Sequence, residues 1–65
     1  MIETGLYQHF NGNVYRVIAT ATHTETGESM VVYHSVVNPN KIWVRPASMW
    51  EETVNGVPRF KRIDV

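Results

Sequence analysis

The sequence predicts an all-β fold: a small SH3-like antiparallel barrel of five or six short strands with one short helical turn. Runs rich in β-branched residues, Val14 to Thr22 and Met30 to Val36, carry no helical periodicity. Turn signals at Asn11-Gly12, Thr26-Gly27, Asn38-Pro39 and Asn55-Gly56 divide the chain at short intervals. A short sheet in a short chain removes its exposed edges most simply by curling into a barrel.

The elements follow in order. Gly5-Leu6-Tyr7 opens a first segment that stops at the Asn11-Gly12-Asn13 turn. Val14 to Thr22 reads as a strand, and Met30 to Val36 as another. Asn38-Pro39-Asn40-Lys41 reads as a turn, followed by a short strand, Ile42-Trp43-Val44. Pro46 cannot donate to a ladder, so Arg45 to Glu52 leaves the sheet. Pro46 as a first helical residue, with Glu51-Glu52 behind it, suits one helical turn. Thr53-Val54, Asn55-Gly56 and Val57 to Ile63 form a last hairpin, in which Pro58 marks an edge or a bulge.

The central hairpin has a predicted register. If Thr24 to Gly27 form a four-residue loop with Gly27 at positive φ, His23 faces Glu28. Ala21 then faces Met30, Ala19 faces Val32 and Val17 faces His34. That apolar face is the expected core side. Thr20, Thr22, Ser29, Tyr33, Arg16 and Ser35 fall on the other. Phe10, Phe60 and Trp50 are the first choices among aromatics for the core.

The chain of 65 residues is read as one domain, residues 1–65. A domain this short buries only about 60% of its unfolded surface. Hydrophobic content of 43% is that of a folded domain, not a disordered one. Without cysteine there is neither a disulfide nor a thiolate metal site, which favours a reducing, cytoplasmic setting. Met1-Ile2-Glu3 begins no signal peptide, and no apolar run approaches the ~18 residues of a membrane span. Six basic residues balance six acidic ones, so no long-range field draws nucleic acid or membrane.

The segment His23-Thr24-Glu25-Thr26-Gly27-Glu28 is richer than a turn requires. A histidine and two carboxylates sit where a glycine and a polar residue would suffice. Arg45, ending the strand before Pro46, is expected to run back towards this loop and grip Glu25 or Glu28 bidentately. Trp43 and Arg45 share one strand face. With Ile42 and Val44 inward, both point outward, as in a binding hot spot. The candidate ligand-binding residues are therefore His23, Thr24, Glu25, Glu28, Tyr33, Trp43 and Arg45.

The ordered set Gly5-Leu6-Tyr7, His9-Phe10, Gly12-Asn13, Tyr15, His23-Thr24-Glu25-Thr26, Glu28, Val31-Val32-Tyr33, Trp43-Val44-Arg45-Pro46 and Pro58-Arg59-Phe60 resembles a bacterial family. It is similar to the domain of unknown function 1653 over nearly the whole chain. Gln8 stands where that family more often has a basic residue. The resemblance implies a small stand-alone cytoplasmic domain with no assigned activity.

Other chemistries are weaker. His9, His23 and His34 with Glu25 and Glu28 offer zinc ligands, but their spacing fits no ligand motif. A His23–Glu28 contact across the turn accounts for them more simply, so no metal and no cofactor is assigned. Nucleophilic catalysis lacks a Cys or a G-x-S-x-G, and Ser29, Ser35 and Ser48 have no evident base. His23 with Glu25 or Glu28 would be the acid/base pair of a small hydrolase or metal-dependent enzyme. Arg59-Phe60-Lys61-Arg62 would suit a single-stranded nucleic-acid binder, though such a run more often deters edge pairing. The expected function is a small binding module, more readily than an enzyme. Its partner is a small molecule, peptide or nucleic acid and not a membrane; a weak homo-oligomer is left open.

Overall fold

The computed structural model describes residues 2–64. It is all-β with one short helical turn. The strands are β1 (Gly5–His9), β2 (Val14–Thr22), β3 (Ser29–Ser35), β4 (Asn38–Pro46), β5 (Thr53–Val54), β6 (Val57–Pro58) and β7 (Phe60–Arg62); α1 (Ala47–Trp50) follows β4. No described helix is long and apolar enough to cross a membrane. Five strands form one antiparallel sheet in the order β4-β3-β2-β1-β7, and β5-β6 form a separate hairpin.

The expected SH3-like barrel is not closed. Among the described residues β4 pairs only with β3 and β7 only with β1, so both are open edges. The sheet still curls. Phe60 of β7 lies 6.4 Å from Tyr33 of β3, ring to ring, across two intervening strands. Tyr7, Val17, Val31, Tyr33, Trp50 and Phe60 form the core on the concave side. Trp50, carried on α1, stacks on Phe60 at 3.6 Å and meets Tyr33 and Tyr7 edge-on at 4.9 and 5.5 Å. The helical turn thus supplies the plug that the short strands cannot. Phe10, expected in the core, is 49% exposed beyond the end of β1.

The central register is correct near the loop and wrong beyond it. His23 and Glu28 face each other: the His23 N–H donates to the Glu28 carbonyl at 2.8 Å. Ala21 pairs with Met30 and Ala19 with Val32, but Val17 pairs with Tyr33 rather than His34. A bulge at Ile18 accounts for the shift, because two β2 residues there oppose one on β3. Val31 and Tyr33 are buried, so alternation puts Met30, Val32 and His34 on the convex face. The predicted faces of β3 were therefore exchanged.

The β3–β4 connection also differs. The turn is Val36-Val37, between the paired Ser35 and Asn38, and Asn38 to Lys41 belongs to β4. A register shift between His34 and Ser35 takes up Pro39, Asn40 and Lys41. Pro46 sits at the N-cap of α1, just ahead of the first helical residue. Asn55-Gly56 turns the last hairpin as expected, with φ of 53° and 80°, but the return strand is only Val57–Pro58. The rest of the expected Val57 to Ile63 strand leaves the hairpin, and Phe60–Arg62 pairs with β1.

Candidate functional site

The loop after β2 uses its histidine internally. His23 Nδ1 accepts the backbone N–H of Glu25 at 3.1 Å and of Thr26 at 3.4 Å. Thr26 Oγ1 accepts the N–H of Glu28 at 3.2 Å. The Gly27 N–H donates to the His23 carbonyl at 2.9 Å, and Gly27 has φ of 75°. The acceptor nitrogen of a neutral imidazole here does what an Asx side chain does in other turns. His9 repeats the device, with Nδ1 accepting the Asn11 N–H at 3.1 Å. Much of the apparent surplus of the loop is turn chemistry. Thr24, Glu25 and Glu28 are exposed, and neither carboxylate joins an ion pair among the described residues.

Arg45 takes other partners. Its Nε donates to the Tyr33 hydroxyl at 3.4 Å, and its guanidinium lies 5.8 Å from the centre of the Phe60 ring. Ladder pairing explains this placement. Arg45 opposes Val31 and Trp43 opposes Tyr33. Directly opposed residues project to the same side, so Trp43 and Arg45 lie on the concave face. The expectation that they point outward, with Ile42 and Val44 inward, is reversed. Ile42 and Val44 are the exposed, convex pair.

The concave face at the β4 edge is consequently a ring-lined surface. Trp43 is 40% exposed and packs 5.8 Å from Tyr33 and 6.4 Å from Tyr15. Tyr15 meets Tyr33 and Phe60 edge-on at 5.6 and 5.8 Å. Tyr33, Trp43 and Arg45 are thus gathered together. His23, Thr24, Glu25 and Glu28 form a separate group at the hairpin tip. Tyr15 and Phe60 are part of this surface and were missed. Tyr15 opposes Ser35 and stands diagonal to Tyr33 only because of the bulge at Ile18, which no residue pattern in the sequence marks.

The charges sort clearly. Arg59 pairs with Glu52 at 3.2 Å, and Arg62 with Glu3 and Asp64 at 3.0 Å each. Arg45 has no acidic partner among the described residues. Asp64 is held below the usual aspartate range, first by accepting the Leu6 N–H and then by Arg62. Arg62 is raised in turn, chiefly by its hydrogen bond to Asp64. Among the described residues no three His, Asp or Glu side chains converge as a metal site.

The family model for proteins of unknown function (DUF1653) matches residues 5–62. The chain is also similar to the crystal structure of a DUF1653 protein from Bordetella bronchiseptica. The two are 29% identical, with a TM-score of 0.84 over 95% of this chain and 87% of the other. No curated protein matches the chain.

Proposed function

The chain belongs to the DUF1653 family of proteins of unknown function, and from that premise we propose that it is a binding module working through the concave Trp43–Arg45 side of its sheet. One observation carries the reading. An arginine without an acidic partner among the described residues is held by a tyrosine hydroxyl and a phenyl face, beside a half-exposed tryptophan. Its Nε is used once, which leaves the other guanidinium donors for an anionic acceptor. The tryptophan offers a flat apolar surface next to that charge. The surface therefore suits a ligand that joins an anionic group to an apolar one. The rings beneath are mutually packed, so little ordering is required on binding.

Intrinsic fluorescence tests this, because Trp43 is the exposed one of the two tryptophans and Trp50 is buried. Titration with an aromatic carboxylate should give a saturable change that the matching neutral amide does not. Arg45→Gln should abolish the response while a melting curve confirms that the domain is folded. An equal response to carboxylate and amide, or an unaltered response in folded Arg45→Gln, would overturn the proposal.

A further inference from the structure

The ligand class of this surface follows from the two open edges beside it. Among the described residues β4 has no strand on its outer side, and β7 ends the other flank of the sheet. An edge of this kind is a template for another strand. Ile42 and Val44 are 56% and 61% exposed on its convex side, and Trp43 is partly exposed on its concave side. Apolar residues exposed on both faces of one edge strand are what an added strand would cover.

Charge names the occupant. The domain has no net charge, yet its cations are not evenly spread. Lys41 and Arg45 lie on β4, Lys61 and Arg62 on β7, and Arg59 directly precedes β7; only Arg16 lies elsewhere. No aspartate or glutamate falls on either strand. Lys41, Arg45 and Lys61 have no acidic partner among the described residues.

A second copy of this chain fits poorly. Antiparallel pairing of two β4 edges centred on Trp43 would set Lys41 against Arg45, and like charges directly opposed are destabilising. Nucleic acid would meet the cations but leave the strand edge without a ladder partner.

Resting on the binding surface proposed above, we infer that the partner is an extended acidic peptide that adds to β4 as a strand. The peptide backbone would pair with the free side of β4. Its side chains on one face would meet Trp43, and an acidic residue among them would take the open donors of Arg45. Main-chain pairing would supply affinity and the two side chains selectivity.

The test uses the full chain and a short acetylated peptide alternating valine and glutamate. Two further versions carry N-methyl groups on one or the other alternate set of amides. Binding is read by backbone amide shifts of Lys41 to Arg45 and by titration. The unmodified peptide should bind and shift those amides. One methylated set should weaken binding by about tenfold or more, and the other set should not, because only alternate N–H groups of a strand face its partner. A valine–lysine peptide should not bind.

Equal binding of both methylated peptides, or tighter binding of a short oligothymidylate, would overturn the strand-addition inference. If the aromatic carboxylate shifts Trp43 and Arg45 but the acidic peptide does not bind, the inference fails and the binding surface stands. If neither ligand acts, both fail.

Discussion

Single residues in this chain serve turns before they serve chemistry. His23 Nδ1 takes two backbone donors of its own loop. His23→Ala should therefore lower stability by about 0.5–1.5 kcal/mol, the usual worth of such bonds at an exposed turn. Thermal melting would show it, and an unchanged melting temperature would return His23 to the pool of free ligands. Gly27 sits at φ of 75° with open space around it. Gly27→Val should cost more than roughly 1 kcal/mol from backbone strain alone, since a β-branched residue tolerates that region worst. Gly5 is tighter. At φ of 138°, a Cβ there would come within 2.6 Å of an Asp64 carboxylate oxygen. That carboxylate caps the Leu6 N–H and pairs with Arg62. Its folded value lies below its ordinary 3.8, so its stabilisation is present above that value and is lost as pH falls through the lower folded one. Asp64→Asn should be less stable than the wild type near neutral pH, and the gap should close as the solution is acidified. Gly5→Ala, by displacing the carboxylate, should be destabilised and show a flattened acid response. A gap between wild type and Asp64→Asn that persists unchanged into strong acid would disprove the capping role.

At the scale of elements, two devices decide which side chains face the core. The bulge at Ile18 shifts the pairing by one residue, which exchanges the faces of everything on one side of it. Ile18 is the extra residue of the bulge, so it is not needed for Val17 to oppose Tyr33 or Ala19 to oppose Val32. Ile18→Ala, whose side chain is 40% exposed, should melt close to wild type, and a large loss of melting temperature would show that Ile18 packs rather than merely bulges. β-Branched content made β2 and β3 legible as strands, and the Asn-Gly signal made the last hairpin legible. A bulge has no comparable signature. Val36-Val37 reads as strand by propensity and Asn38-Pro39 as turn, yet the chain turns at the valines, because the ladder from Trp43 to Pro46 sets where β4 must start its return.

Over the whole molecule, stability rests on one ring stack. Trp50 and Phe60 join α1 to β7, and Tyr33 and Tyr7 close around them. Trp50 Nε1 is buried without a hydrogen-bond partner among the described residues, so packing holds the indole. Trp50→Ala should cost about 3–5 kcal/mol, enough to unfold much of so small a domain. Circular dichroism at 25 °C would check this, and a fully folded variant would move the centre of stability elsewhere. The same curvature brings Arg45 of β4 over Phe60 of β7, the two edge strands of the sheet.

By itself the amino-acid order determined the strand content, the single helical turn after Pro46, the loop register at His23 and Glu28, and the family resemblance. These depend on neighbours within a few residues, where propensity and turn chemistry act. Only the tertiary structure decided that the sheet stays open, that Trp43 and Arg45 face inward, and that Arg45 meets Tyr33 and Phe60 instead of the loop carboxylates. Those outcomes depend on register across strands and on packing between residues far apart in the chain, and one unmarked bulge is enough to change which residues of β2 share a face with β3.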